Sequence, residues 1–207
     1  MLSILYFIIA LVVVVTIHEF SHAYVASKLG DPTARIAGRL TLNPLAHLDV
    51  LGTLMIFLIH IGWGKPVPVN PHYFKHPKRD EAITALAGPF SSLLLGLLLA
   101  LPMKYFALTM PAELYNFLGT VFDVAILLFI FNMLPFPPLD GSKIIGIFVP
   151  HRFYGLYQRY LRNGMLYFVI FLLFDDFVLM RAFGFSIMQY VIGNLFTLMK
   201  TVLFLGT

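Results

Sequence analysis

The chain has 207 residues, 59% of them hydrophobic and 12% charged, with a net charge of +4. An ordinary soluble domain carries about twice that charged fraction, so the composition excludes one and points to a polytopic α-helical membrane protein. The small positive charge is spread along the chain and excludes a nucleic-acid stripe, and the lack of cysteine excludes disulfides and thiolate metal ligands.

An apolar run predicts a first helix over residues 2–28, stopped by Gly30-Asp31-Pro32. The run has no basic leader and no small-residue cleavage site, so it is expected to be retained. Within it lies His18-Glu19-Phe20-Ser21-His22. Helical residues four apart share a face, so His18 and His22 can hold one metal ion. Glu19 is placed to take a proton from a water on that ion. Residues 33–44 read as irregular to β-like. Residues 48–63 are apolar but shorter than the roughly 20 residues a span needs. Residues 64–80 are polar and hold Pro66, Pro68, Pro71 and Pro77. Long helices are predicted over 82–108 and 114–134, a weaker one over 164–180 broken by Asp175-Asp176, and a last one over 184–205. No internal repeat is visible. The expected fold is an all-α polytopic integral membrane protein of about five to six transmembrane or re-entrant helices, with a small β-like or extended membrane-associated segment. It reads as a single membrane-embedded domain over residues 1–207, with a core of about 1–143 and C-terminal helices of about 151–207.

Charge sets an expected topology. If residues 48–63 dip in and return, twelve basic residues share one side: Lys28, Arg35, Arg39, Lys65, Lys75, Lys78, Arg79, Lys143, Arg152, Arg159, Arg162 and Lys200. Only Lys104 and Arg181 lie opposite. If 48–63 cross, the split weakens to nine against five. The positive-inside rule favours the first arrangement, with the twelve on the cytoplasmic side.

The third long helix ends in Asn132-Met133-Leu134-Pro135-Phe136-Pro137-Pro138-Leu139-Asp140-Gly141. Its prolines forbid further helix, and non-helical backbone at membrane depth needs a protein or wet lining. A zinc held by two histidines wants one more protein ligand and an open water position, and Asp140 is the candidate. In the re-entrant topology, both motifs lie near the cytoplasmic ends of their helices. His18 is then about 22 Å along its helix, inside a hydrocarbon core of about 30 Å.

These two motifs resemble the signatures of the site-2 protease family of intramembrane zinc metalloproteases. Gly62-Trp63-Gly64-Lys65-Pro66-Val67-Pro68-Val69-Asn70-Pro71 is similar to a loop of its compact prokaryotic members. The resemblance covers most of residues 10–143. It implies one zinc per chain on His18, His22 and Asp140, with Glu19 as catalytic base. It also implies cleavage of membrane-protein substrates in or near a transmembrane helix, in the lipid bilayer of a prokaryotic cell (inner) membrane, with the site nearer the cytoplasmic face. The family pattern Gly-Pro-x-x-Asn stands here as Gly88-Pro89-Phe90-Ser91-Ser92, so Ser92 replaces an asparagine associated with substrate contact or the oxyanion. Asn132, Pro66, Val67 and Pro68 are further candidates for substrate binding, the last three through strand addition to an unwound peptide.

Other polar residues have plainer readings. His47, Asp49 and His60 read as interfacial or hydrogen-bonded groups, with orientation of a metal ligand as the sharper alternative. His72 and His76 read as a solvated loop. Glu81 and Glu113 suit the dipoles of helix starts. Asp123 reads as an interhelical hydrogen-bond partner, or as lining a water path. The rival function is a non-enzymatic zinc-binding scaffold or a metal transporter. A transporter usually shows several intramembrane polar sites and repeated halves, and a carrier has no use for a general base. A zinc peptidase acting on prenylated C-termini is the second rival, which the Pro-rich Asp140 motif argues against.

Overall fold

In a computed structural model, residues 2–49, 52 and 64–204 are described. The question of whether 48–63 cross or re-enter, together with His60, Gly62 and Trp63, falls almost wholly outside them. The described chain is helical: α1 (Leu2–Lys28), α2 (Thr33–Ile36), α3 (Pro77–Tyr105), α4 (Ala112–Met133), α5 (Asp140–Ile145), α6 (Tyr154–Arg162), α7 (Gly164–Phe174), a π-helical turn (Asp175–Met180), α8 (Arg181–Phe183) and α9 (Ile187–Leu203). Helices α1, α3 and α4 are long and apolar enough to cross a membrane.

These three pack on one another, α1 against α4 through small residues and α3 against α4 through larger ones. Ala10 and Val14 of α1 meet Val121, Val124 and Ala125 of α4. Ala100 and Met103 of α3 meet Phe122, Ile126 and Ile130 of α4. In a bilayer, lipid tails are as apolar as leucine, so close van der Waals fit rather than water exclusion holds such helices together. The composition shows this directly, with Ala, Gly and Val where the backbones approach and large apolar side chains such as Leu94, Leu98 and Leu101 facing out.

Three sequence expectations change. The β-like stretch over 33–44 opens as a helical turn, entered through a turn in which the buried Asp31 accepts from the Thr33 N–H at 2.9 Å. Strand pairing among the described residues is a lone antiparallel bridge, Leu48 to Gly64. Asp175 does not break its helix. The chain continues through a π-helical turn, and the buried Asp175 carboxylate accepts from Ser186 Oγ (2.6 Å) and the Ile187 N–H (2.7 Å) at the start of α9. Finally, Lys200 lies with Met103, Tyr115 and Gly119, where α3 ends and α4 begins. This is the far end of the bundle from His18 and Asp140, so Lys200 leaves the group of twelve. Gly164 starts against Pro137, and Asp175 hands over to α9. Helix α9, about 25 Å long at 1.5 Å per residue, then runs antiparallel to α4 towards the far end.

Candidate metal centre

His18 and His22 stand one turn apart on α1, and both are buried. Asp140 opens α5, straight after the Pro-rich turn that ends α4. Gly141 makes this placement possible, since a Cβ there would overlap the Met133 and Leu134 carbonyls. The three donor atoms converge. His18 Nε2 and His22 Nε2 are 3.1 Å apart, and Asp140 Oδ2 is 3.2 and 3.1 Å from them.

The hydrogen-bond partners behind the rings decide what this cluster is. His22 Nδ1 is 2.7 Å from the Thr84 carbonyl, which can only accept, so Nδ1 carries a proton and the neutral ring offers Nε2 as a ligand atom. His18 Nδ1 is 3.1 Å from Ser92 Oγ, whose own hydroxyl donates to the Gly88 carbonyl at 3.3 Å. With that pairing, Ser92 Oγ accepts from His18 Nδ1. With both rings neutral, two imidazole nitrogens and a carboxylate oxygen face one another, an arrangement that a cation among them stabilises. Ligands about 2.0–2.1 Å from one tetrahedral ion sit about 3.3 Å apart, close to the spacing here, and two histidines with one carboxylate is a zinc-type donor set. The residues fit the metal.

Helix α3 supplies both second partners from one stripe: Thr84, Gly88 and Ser92, at intervals of four. Gly88 is the gap in that stripe, and a Cβ there would overlap the Nε2 atoms of both histidines. The sequence reading drew only Ser92 from this segment. The structure places Ser92 behind His18, fully buried and outside the cavity, which differs from the expectation that it meets substrate. A serine is too short to reach past the ring it supports.

Beside the three donors lies a cavity of about 340 Å³. Glu19 reaches it, and its Oε2 accepts from the Val67 N–H at 3.0 Å. The extended segment 65–70 forms one wall. Its backbone is pinned from outside: the Lys65 N–H donates to the His47 carbonyl (2.8 Å), Arg39 donates to the Lys65 carbonyl, and the Asn70 N–H donates to Asp31 (2.7 Å). Arg39 is buried, which lowers its pKa, while the charge of Glu19 opposes the shift. Pro66 and Val67 line the cavity and Pro68 does not. Neither proline has an N–H and the Val67 N–H is given to Glu19, so donation to a peptide there would fall to Val69. Asn132 also lines the cavity; its Nδ2 donates to the Leu128 carbonyl, and it does not touch Asp140.

Several residues behave differently from their sequence readings. Glu81, assigned to a helix dipole, lines the cavity with Lys143. Gly88 and Arg39 were not singled out; the Gly-Pro pair at 88–89 and a lone arginine between apolar residues were the available signals. His47 is buried, with Nε2 2.8 Å from the Thr41 carbonyl, as the plain reading had it. Asp123 meets Lys200 at 2.7 Å. Two tyrosines of α6 brace the Asp140 segment: Tyr160 donates to the Pro135 carbonyl (2.6 Å) and Tyr157 to the Ser142 carbonyl (3.0 Å). Burial raises the pKa of both phenols, which keeps them donors.

Comparison with known proteins follows this geometry. The chain is 45% identical over 152 residues to "Putative zinc metalloprotease YwhC" of Bacillus subtilis, covering 70% of this chain and 69% of that one. It is 32% identical over 148 residues to "Putative zinc metalloprotease MJ0611" of Methanocaldococcus jannaschii, covering 69% and 72%. It is 33% identical over 141 residues to "Putative zinc metalloprotease Rip2" of Mycolicibacterium smegmatis, covering 65% of this chain and 52% of that one. No family model and no solved structure matches.

Proposed function

The chain belongs to the compact, site-2 protease-like family of zinc metalloproteases that YwhC represents, and from that premise we propose that it is an intramembrane zinc endopeptidase. Its substrates are membrane proteins, cut in or near a transmembrane helix. The observation that supports this most is the meeting of two histidine nitrogens and the Asp140 carboxylate beside a cavity that Glu19 also lines.

His18, His22 and Asp140 would hold one zinc ion. When bound, it supplies Lewis-acid polarisation of a carbonyl and a water acidic enough to attack near neutral pH. Ser92 and the Thr84 carbonyl fix the two rings in the orientation that turns both Nε2 atoms to the metal. Glu19 takes the proton of the attacking water and delivers it to the leaving nitrogen. A helical peptide bond is shielded, so the substrate unwinds and lies along Val67 and Val69, whose carbonyls and the Val69 N–H hold it extended. The active site opens towards the cytoplasmic face of a prokaryotic membrane, where the Lys and Arg residues of the 65–79 and 143–162 segments gather.

Elemental analysis of the purified protein with Glu19→Gln tests this reading. Zinc near one per chain in both proteins is expected, with cleavage of a transmembrane reporter falling by about 10²–10⁴-fold in the variant. A scaffold or carrier would bind zinc and have no cleavage to lose. A wild type without stoichiometric metal would sink the proposal.

A further inference from the structure

Thr84 is unusual among the threonines of this bundle. Thr16, Thr120, Thr197 and Thr201, the others within helices longer than ten residues, each turn the hydroxyl back to the carbonyl one turn earlier, at 2.6–2.9 Å. Thr84 Oγ1 has no partner among the described residues, although the residue is 2% exposed. A buried hydroxyl without a partner costs free energy and is seldom left so unless it serves something that comes and goes.

Its position says what that is. Thr84 lines the cavity beside the histidines, while its own carbonyl is occupied by His22. The extended 65–70 segment forms one wall of the cavity, and α3, with Glu81, Thr84 and Ala85, forms another. An extended peptide turns alternate carbonyls to opposite sides. A substrate paired with Val67 and Val69 therefore presents every second carbonyl away from that strand, where Thr84 offers a donor. Ser92, the residue for which the sequence suggested such a role, is behind His18 and cannot reach. Lys143 also lines the cavity, together with the carboxylate of Glu81.

We propose that the Thr84 hydroxyl donates a hydrogen bond to the carbonyl oxygen of the scissile peptide, and that this bond strengthens as the oxygen gains charge. Water adds to the carbonyl carbon, its proton goes to Glu19, and the carbonyl π electrons move onto oxygen. Thr84 keeps its proton throughout, so it stabilises the oxyanion without acting as an acid. The inference rests on the peptidase reading.

Thr84→Val keeps the shape and removes the donor, and Thr84→Ser keeps the donor. With a transmembrane-helix reporter peptide that the wild type cleaves, Thr84→Val should lower kcat by about 100-fold, the scale for losing one oxyanion donor, and leave KM within about three-fold. Thr84→Ser should recover most of that. A phosphonate analogue of the same peptide should bind Thr84→Val more weakly by a similar factor, whereas the uncleaved peptide on a Glu19→Gln background should bind equally with and without Thr84. Zinc content should be unchanged, and the unfolding temperature of Thr84→Val should equal or exceed wild type, since an unpartnered polar atom is gone. Cleavage by Thr84→Val within about three-fold of wild type overturns the inference. So does a loss that tracks zinc or unfolding temperature, which makes Thr84 a scaffold residue. Zinc-loaded wild type that cleaves nothing instead fails the peptidase reading, and the two failures are distinct.

Discussion

The two ends of the bundle treat their polar groups in opposite ways. At the histidine end, His18, His22, Ser92 and Asp140 are at most 9% exposed, and their polar atoms meet a backbone carbonyl or one another. At the far end, Asp123 and Lys200 pair at 2.7 Å, but their side chains are 41% and 42% exposed and flank an open cavity of about 570 Å³. Burial removes alternatives: a polar atom sealed among helices keeps the partner it has, whereas an open pair can exchange its partner for water or a lipid headgroup. The first end has one geometry, enforced from several sides. The second has a contact that can be lost cheaply. Ionisable groups in membrane helices are functional by default, yet only the sealed set here has the precision that chemistry requires.

Asp140→Ala tests the strongest member of that contrast. Loss of a metal ligand should weaken zinc by more than the 10–100-fold typical of an outer-sphere change, read by chelator competition. If zinc holds equally well, the convergence of the two motifs is not what binds it. Gly88→Ala should come next. Its methyl has no room beside the two Nε2 atoms, so zinc affinity should fall by about 100-fold or the protein should fail to load. Normal loading would show that α3 yields more easily than the buried end implies. Ser92→Ala leaves the His18 Nδ1–H without its acceptor, and a loss of about 10-fold is expected, with Ser92→Thr recovering part of it. Asp123→Asn should cost the least, about 0.6 kcal/mol of unfolding free energy and no zinc. A larger effect, or one that reached the metal, would mean that the far end is not the loose region its exposure suggests.

Much of the histidine end was legible because its chemistry is carried by side chains. His18, Glu19 and His22 declare themselves by spacing, and Asp140 by a proline turn no helix could continue. What supports them was harder to see. The Thr84 carbonyl belongs to the backbone, and Gly88 contributes by lacking a side chain, so neither adds a letter that a donor search would find. Their interval of four with Ser92 was visible, but only the packing of α3 against α1 gives it meaning. The C-terminal third misled for another reason. Asp175 next to Asp176 in an apolar run reads as an interruption, because sequence does not show that Ser186, eleven residues on, folds back to meet it. Counting that segment as a crossing put Lys200 at the histidine end, whereas it lies beside Asp123 and Tyr115 near the start of α4.

The prolines at 66 and 68 have a consequence for how this protein lives among its own copies. An extended segment with free backbone groups is a template for pairing with any similar segment, the usual route by which strand edges aggregate. Proline withholds the N–H that such a ladder needs. Two copies meeting through residues 65–70 in a crowded bilayer would bring too few donors to both sides, and could not zip together. The same two residues thus close the segment to pairing with a copy of itself.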